Sequence, residues 1–385
     1  MYESLGGTNS DRYTYVLPNY SFSKNFILTN IDGGFTFGSS GNNTINNTNI
    51  TTTSINNDLN YESFAYYTNS GIKTNFEINV KNINAMADNS IKYKNTPQSE
   101  LMSAYFINAS FPLKKNNENS QNTLTPKLSF RLSPHDMKNY NGNGRRINVD
   151  NVFSANRLGI GDSFETGESI TLGIDFKKEK VSQVFQINEK DGSPDYEKEK
   201  LTEIEEYFDF QLATVLRFNK EENIPVSSTI GEKSSNIFGL VGYKPNKNIL
   251  LNYDFSLTND FGVFEHQTIN ASYISKNFNT KFSFTEEAGI LGDTNVVSNE
   301  TSFIFKDYHN MSFSTRRNRK LNLTEYYDLL YEYKNDCLIA GVKYRKDYYK
   351  DNDVIPKEEL FFSITIIPFY TFSPDKMILN KNRID

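Results

Sequence analysis

Residues Asn252 to Thr258 have the sequence NYDFSLT, and this stretch shows the pattern on which the predicted fold rests. Tyr253, Phe255 and Leu257 alternate with polar residues along it. Successive side chains of a β-strand point to opposite faces of a sheet, so a period of two places apolar groups on one face and polar groups on the other. The stretch therefore predicts a strand that separates an apolar environment from a polar one.

The same alternation recurs along the rest of the chain. In the second half it is found in the runs Thr268–Tyr273, Lys281–Thr285, Met311–Arg316 and Leu338–Arg345. The first half predicts less regular strands at Arg12–Leu17, Asn25–Thr29, Gly34–Gly38, Asn57–Tyr67, Lys73–Val80, Leu101–Phe111 and Leu124–Leu132. The Asn- and Thr-rich segment 41–57 fits either a polar loop or a strand pair, and the charged segment 189–206 predicts a loop. Together they predict an all-β chain of about 18–20 antiparallel strands in meander order.

Connections between the predicted strands of the second half have two lengths. Short turns are predicted near 244–248, 275–277, 306–310 and 334–336, about 30 residues apart, which is the length of one hairpin of two membrane-spanning strands. Longer connections are predicted at 258–265, 286–296 and 348–359. Outer-membrane β-barrels have short turns at the periplasmic rim and longer loops at the outer rim. The two lengths therefore favour an antiparallel transmembrane outer-membrane β-barrel.

The composition is compatible with a wall that crosses a membrane through strands. Hydrophobic residues make up 37% of the 385 residues, and no run of 18 apolar residues occurs, so a transmembrane helix is excluded. The 30 Phe and 24 Tyr would supply lipid-facing and interfacial side chains, although Trp is absent. A soluble β-sandwich shows the same alternation with its apolar face turned inward, and it remains an alternative.

Charge and reactive residues point away from several other classes of function. The net charge of −6 arises from 41 basic and 47 acidic residues spread along the chain, so no basic face for nucleic acid is predicted. Three histidines and the single Cys337 lack the spacing of a metal site. His135 follows a proline in a polar stretch, and Gly159-Ile160-Gly161 lacks the third glycine of a dinucleotide loop, so turns are predicted there. We therefore expect neither catalysis nor a cofactor.

Two groups of basic residues are candidates for contact with anionic lipid. They are Arg145-Arg146 and the group Arg316, Arg317, Arg319 and Lys320. Guanidinium groups bind phosphate through two parallel hydrogen bonds, which suits them to this role. Ordinary rim residues that form ion pairs or extend towards water are the alternative for each group.

The predicted barrel domain comprises residues 1–370, and residues 371–385 are predicted to form a C-terminal tail. No shift of composition and no linker divides the domain. Met1 is followed by neither a basic segment nor an apolar core, so we expect the export signal to lie upstream and this barrel portion to be incomplete.

Two stretches resemble the LptD family, the outer-membrane proteins of lipopolysaccharide assembly that are also called organic-solvent-tolerance proteins. The first, residues 150–176, has the sequence DNVFSANRLGIGDSFETGESITLGIDF. Its resemblance to the family signature is carried by Phe153, Asn156, Arg157, Gly161, Asp162, Glu165, Gly167 and Thr171. The second, residues 327–368, has a Tyr-rich strand, a turn with Cys337, a basic strand and a final apolar strand. Together with the hairpins around them, the resemblance covers roughly residues 12–369.

The resemblance implies a function and partners. The barrel would assemble lipopolysaccharide at the surface of the cell outer membrane, passing it sideways into the outer leaflet. The implied partners are lipopolysaccharide, the lipids of the outer membrane, an LptE-like lipoprotein inside the barrel, and a periplasmic lipopolysaccharide bridge. That bridge would be reached through an N-terminal jelly-roll domain, which we expect to be missing here. A porin or substrate-specific channel is the alternative, because it needs the alternation but not the signature.

The resemblance also implies roles for residues near the C-terminal end. The last strand, predicted at Leu360–Phe369, would form one side of the lateral gate with Phe362, Ile364, Ile366 and Pro368. Pro368 would remove one donor from the strand ladder and weaken that seam, although proline is also common at strand ends. Cys337 would form an inter-domain disulfide with upstream sequence, or else remain an inert thiol in a turn.

Overall fold

The structure is a computed structural model that describes residues 2–3, 13–27, 31–46, 50–90, 93–188, 197–306, 308–348, 356–367, 370–372 and 377–378. These residues form an all-β fold whose strands pair in antiparallel order. The predicted fold class, an antiparallel all-β meander, is confirmed.

Strands account for most of the described residues. They are β1 (Tyr2–Glu3), β2 (Tyr13–Ile27), β3 (Gly33–Asn46), β4 (Thr51–Ser63), β5 (Tyr66–Tyr67), β6 (Lys73–Asp88), β7 (Gln98–Ser110), β8 (Leu113–Asn117), β9 (Ser120–Ser133), β10 (Gly167–Asn188), β11 (Glu197–Arg217), β12 (Ile237–Asn246), β13 (Ile249–Leu257), β14 (Phe264–Ile274), β15 (Phe278–Glu287), β16 (Thr294–Phe305), β17 (His309–Asn318), β18 (Leu323–Lys334), β19 (Leu338–Asp347), β20 (Glu358–Ile366), β21 (Tyr370–Phe372) and β22 (Met377–Ile378). Two short 3-10 turns lie at Val226–Ser228 and Gly289–Leu291. Among the 22 strands of the described residues, five have five residues or fewer and seventeen have nine or more, so the predicted 18–20 falls between these counts.

The chain divides into two compact units. The first comprises Met1–Leu113, Leu124–Ile174 and Ala213–Asn236, and the second comprises Lys114–Thr123, Asp175–Leu212 and Ile237–Asp385.

In the second unit, strands β12 to β20 form a meander in which each strand pairs with the next. Ile269 lies opposite Tyr253 on one side and Phe284 on the other. Because the side chains of every strand alternate with period two, this register aligns the apolar residues of neighbouring strands on one side of the sheet. This apolar face is formed mainly by Tyr253, Ile269, Phe282, Phe284, Val297, Phe303, Met311, Phe313, Tyr327, Leu329, Tyr331, Val342, Tyr344, Phe362, Ile364 and Ile366.

The apolar face is open, whereas the opposite face carries polar groups that bind one another. Phe303 is 46% exposed and Ile364 is 45% exposed. On the opposite face, Lys343 Nζ lies 3.3 Å from an Asp328 carboxylate oxygen. A soluble sheet packs its apolar face on a core and turns its polar face to water. The described residues of this unit leave the apolar face uncovered.

The connections of this meander have the two predicted lengths. At one end the strands are joined by residues 247–248, 275–277 and 335–337, and by the connection from Phe305 to His309. At the other end they are joined by residues 258–263, 288–293 and 319–322, while the connection from Asp347 to Glu358 includes residues 349–355, which lie outside the described residues. The ends are called the short-turn end and the long-loop end below.

In the first unit, strands β2, β3, β4, β6, β7 and β9 also pair in chain order. The segment 41–57 forms a strand pair rather than a polar loop, because Gly41 on β3 lies opposite Ile55 on β4. An apolar cluster on this sheet contains Ile83, Ala85, Ala87, Tyr93 and Met102, with Phe164 packed against it. This cluster lies where the chain between β9 and β10 covers the strands.

Two predicted boundaries need correction. Residues 197–206, predicted as a loop, belong to β11, while 189–196 lie outside the described residues. A strand tolerates charge on its polar face when counter-charges are near, as Glu205 shows with Lys244 Nζ at 2.9 Å. The final long strand runs from Glu358 to Ile366, and Pro368 and Phe369 lie outside the described residues.

Candidate functional site

Residues 134–166 connect β9 to β10 without forming a strand, although they are extensively buried. We call them the connecting segment. Its buried apolar side chains are Met137, Ile147, Val149, Val152, Leu158 and Ile160. A loop buried to this extent must satisfy its polar groups internally, because an unpaired buried polar group costs about 1–3 kcal/mol.

Glu165, near the end of the connecting segment, accepts hydrogen bonds from a buried arginine of the same segment. Arg157 donates from Nε to Oε2 at 2.7 Å and from Nη2 to Oε1 at 2.5 Å. The same guanidinium donates to Thr171 Oγ1 at 2.9 Å and to Ser169 Oγ at 3.0 Å, both on β10. Arg157 therefore joins the connecting segment to the strand that follows it.

Two arginines from other strands complete the cluster. Arg217 on β11 donates from Nη1 to Glu165 Oε1 at 2.7 Å and from Nη2 to the carbonyl oxygen of Thr166. Arg131 on β9 lies with Nη1 3.4 Å from Glu165 Oε2 and donates from Nη2 to the carbonyl oxygen of Ser154 at 2.9 Å. The cluster of Glu165 with three arginines is called the arginine–glutamate cluster.

The arginine–glutamate cluster has an excess of positive charge in a buried position. Arg131, Arg157, Glu165 and Arg217 are each at most 6% exposed. Burial alone would raise the pKa of the Glu165 carboxyl, but Arg131, Arg157 and Arg217 lower it well below its usual range. Glu165 therefore remains ionised, and its charge compensates for the desolvation of the guanidinium groups. The arrangement fixes the connecting segment and offers no nucleophile or general base.

Asp162 forms a second polar contact between the connecting segment and the rest of the first unit. Tyr93 donates to its Oδ2 at 2.8 Å, and Tyr140 donates to its Oδ1. Lys138 Nζ lies 3.7 Å from Oδ2. Burial, followed by the hydrogen bond to Asp162, raises the pKa of both tyrosines above the ordinary value, so they stay protonated donors at neutral pH.

The remaining signature residues shape the backbone of the connecting segment. Asn156 Oδ1 accepts a hydrogen bond from the backbone of Ile160 at 3.0 Å, which closes the predicted turn around Gly159. Gly167 has a φ of +82°. A Cβ atom at that position would lie 2.9 Å from Arg217 Nη2, so a side chain would collide with the arginine–glutamate cluster.

Phe153 and Gly161 lie at the edge of the connecting segment. The Lys127 ammonium is 5.7 Å from the Phe153 ring centroid, and Gly161 is exposed. The structure thus brings Arg157, Glu165 and Thr171 into one cluster, whereas the other signature residues support the segment around it.

Sequence reasoning missed Arg131 and Arg217. Both are isolated arginines in strands, and nothing near them in the sequence marks them as partners of Glu165. The signal that was available is weak: each arginine follows an apolar or aromatic residue and would take the polar face of its strand. Their pairing depends on contacts across 34 and 52 residues, which a local pattern does not contain.

Two open cavities lie beside the connecting segment in the first unit. One of about 1210 Å³ is lined by ionisable side chains, among them Asp58, Glu62, Glu77 and Lys81, together with aromatic residues. The other, of about 610 Å³, is lined mainly by polar residues and includes Arg145. Arg145, which the sequence offers as a contact for anionic lipid, donates from Nε to the carbonyl oxygen of Arg157 at 2.8 Å. This hydrogen bond stabilises the connecting segment internally.

The residues predicted near the C-terminal end belong to the second unit. Phe362, Ile364 and Ile366 of β20 lie on the apolar face, opposite Val342, Ala340 and Leu338 of β19, respectively. The other edge of β20 pairs with β21 and β22. Cys337 is exposed in the turn 335–337 and forms no disulfide, and Pro368 lies outside the described residues.

The described residues contain no group of three or more His, Cys, Asp or Glu side chains that could hold a metal ion. His135 Nε2 lies 3.1 Å from Ser103 Oγ, and Thr166 Oγ1 donates to the carbonyl oxygen of His135, which tethers this histidine in a turn. In the part of the chain that the structure covers, no helix is long and apolar enough to cross a membrane.

Among solved structures, the chain is similar to porins. No family model matches the chain, and no curated protein matches it. A triple mutant of Rh. blastica porin has 9% sequence identity and a TM-score of 0.27, with 77% of this chain and 87% of that chain covered. A fivefold mutant of the same porin has 8% identity and a TM-score of 0.29, with 85% and 95% covered.

Proposed function

We propose that the chain forms the wall of an outer-membrane β-barrel that carries cargo along its polar face. The observation that supports this most is the open apolar face of β13 to β20, in which Phe, Tyr, Leu and Ile of neighbouring strands are aligned. Lipid is the environment in which such a face is stable without a protein cover. The strands, of 9 to 12 residues, have the length that a tilted membrane-spanning strand requires.

For the cargo, we propose lipopolysaccharide, delivered to the outer leaflet with a lipoprotein partner. The support comes from the resemblance of residues 150–176 to the LptD family and from the contacts of Arg157 with two other residues of that resemblance, Glu165 and Thr171. These contacts hold the connecting segment against β10, which is the kind of single structural unit that a sequence signature would mark. In this proposal, β20 with Phe362, Ile364 and Ile366 borders the exit path.

A channel for small polar solutes is the second candidate function. The first unit favours it because the cavity of about 1210 Å³ is open and lined by Asp58, Glu62, Glu77 and Lys81. Ionisable side chains of both signs facing a cavity are typical of water-filled barrels. A channel would use the connecting segment to narrow the path rather than to guide a lipid.

Depletion of the gene in its own organism, with the location of lipopolysaccharide as the readout, distinguishes these cargoes. Lipopolysaccharide assembly predicts accumulation of lipopolysaccharide in the inner membrane and its loss from the cell surface. A channel predicts normal surface lipopolysaccharide together with ion conductance of the purified chain in planar bilayers. If the chain partitions into the aqueous phase without detergent, the proposal that it forms the wall of a membrane barrel is wrong.

A further inference from the structure

The apolar face of the second unit ends in two arginines at the long-loop end. They are Arg317, the second-to-last residue of β17, and Arg319, which lies in the connection 319–322 that follows β17. We call this pair the arginine rim. Both side chains are exposed.

Arg317 points to the apolar face, whereas its neighbour Arg316 points to the polar face. Arg317 lies opposite Val297 of β16, and Arg316 lies opposite Ser298. An irregularity in the register between Arg316 and Arg317 shifts the pairing with β18, so that Arg317 lies opposite Thr324. Because β17 pairs with β16 without irregularity up to Asn318, the alternation of β17 places the Arg317 side chain on the apolar face.

Of the basic residues Arg316, Arg317, Arg319 and Lys320, the two of the arginine rim form no ion pair among the described residues. Arg316 Nε lies 2.8 Å from a Glu325 carboxylate oxygen, and Lys320 forms an ion pair with Asp293. Neither Arg317 nor Arg319 has a carboxylate within 4.0 Å among the described residues. Arg317 Nη2 donates to Asn322 Oδ1 at 2.5 Å, and Arg319 lies 5.9 Å from the Phe284 ring centroid, so both guanidinium groups stay near the apolar face.

A cavity of about 490 Å³ lies directly beneath the arginine rim. Its apolar lining is Phe282, Val297 and Tyr327, and both arginines border it. From Arg317 back to Met311 the strand β17 continues as part of the apolar face for about 20 Å, at about 3.3 Å per residue. This length exceeds half of the hydrocarbon core of a bilayer, which is about 30 Å thick.

We propose that the arginine rim binds the phosphate of a lipid headgroup, with the acyl chain of that lipid lying along β15 to β18. This proposal rests on the proposed membrane wall, because the lipid must approach the apolar face from the surrounding leaflet. Two guanidinium groups without carboxylate partners match the charge of a phosphate, and each can donate two parallel hydrogen bonds to it. The cavity beneath them accepts the first methylene groups.

The test uses the full chain in neutral detergent micelles and measures its affinity for dilauroyl phosphatidic acid. The double variant Arg317→Gln with Arg319→Gln is expected to lose affinity by at least about tenfold, since loss of even one hydrogen bond to a charged group has an effect of that size. Asn322→Asp, which places a carboxylate beside Arg317 and keeps both arginines, is expected to weaken binding as well. The matched control, Arg316→Gln with Lys320→Gln, also removes two positive charges and should bind as the parent does.

Other outcomes overturn the proposal. If the parent and the double variant bind dilauroyl phosphatidic acid with equal affinity, the arginines do not bind its phosphate. The same follows if the parent binds dilaurin, which lacks the phosphate, as tightly as the phosphatidic acid. If inorganic phosphate binds as tightly as the lipid, the arginine rim is an anion site to which the acyl chain contributes nothing. If the double variant inserts into vesicles like the parent but binds lipid unchanged, only the lipid site is wrong. If the parent fails to insert, the membrane wall and the lipid site are both wrong.

Discussion

Among the described residues, Glu165 is the carboxylate that the guanidinium groups of Arg131, Arg157 and Arg217 all contact, and this position determines the effect of removing it. Glu165→Ala leaves three buried arginines without their counter-charge. Breaking a buried ion pair on one side costs about 3–5 kcal/mol, so we expect a loss of that size in the free energy of unfolding. Urea denaturation of the chain in detergent, followed by circular dichroism, measures it.

Glu168→Ala is the matched control for this prediction, because Glu168 is exposed three residues further on. The control should change the free energy of unfolding by less than about 0.5 kcal/mol, as surface substitutions usually do. If Glu165→Ala is as mild as Glu168→Ala, the arginine–glutamate cluster does not hold the connecting segment.

Tyr93 and Tyr140 predict a response to alkaline pH. Their pKa values are raised in the folded chain, so the protonated phenols contribute stability that is fully present below about pH 10 and is lost as pH rises above it. The double variant Tyr93→Phe with Tyr140→Phe should be less stable than the parent at pH 8, and the difference should shrink between pH 10 and pH 11. A constant difference over this range would contradict a role for the protonated phenols. Unfolding midpoints at each pH provide the measurement.

The apolar face is the element on which the membrane proposal depends, and two consecutive leucines of β18 test it. Leu329 lies on this face between Phe313 and Tyr344, whereas Leu330 lies on the polar face between Ser312 and Lys343. Arginine facing lipid near the middle of a barrel strand costs about 2–4 kcal/mol. We therefore expect Leu329→Arg to lower the stability of the barrel in phospholipid vesicles by that amount.

Leu330→Arg is the control, since it places the same residue one position away on the opposite face. We expect its cost to stay near the 1 kcal/mol limit of a cross-strand pair, because Lys343 already lies beside Asp328. Reversible unfolding in vesicles compares the two variants. A soluble protein would give the reverse ranking, since Leu329 would be the exposed position and Leu330 the one that packs inward.

At the scale of the whole molecule, the repeated alternation of the strands could be predicted from the sequence, whereas local features without a repeat could not. Residues 252–258 and their later counterparts follow a period of two, so the faces of β13 to β20 could be assigned from the sequence. The charges of residues 197–206 hide any alternation, so the sequence predicts a loop where the structure has part of β11. Contacts of Glu165 with Arg131 and Arg217 could not be predicted, since they depend on how β9, β10 and β11 place distant residues.

The meander also predicts which end of the second unit faces the outside of the cell. Cys337 lies at the short-turn end and Leu321 at the long-loop end, joined by the twelve residues of β18. In an outer-membrane barrel the long-loop end faces the medium. A maleimide that cannot cross membranes should therefore label the variant Cys337→Ser with Leu321→Cys on intact cells, and should label parental Cys337 only after the cells are permeabilised. Labelling of both positions on intact cells would mean that no membrane separates the two ends, and labelling of Cys337 alone would mean the reverse orientation.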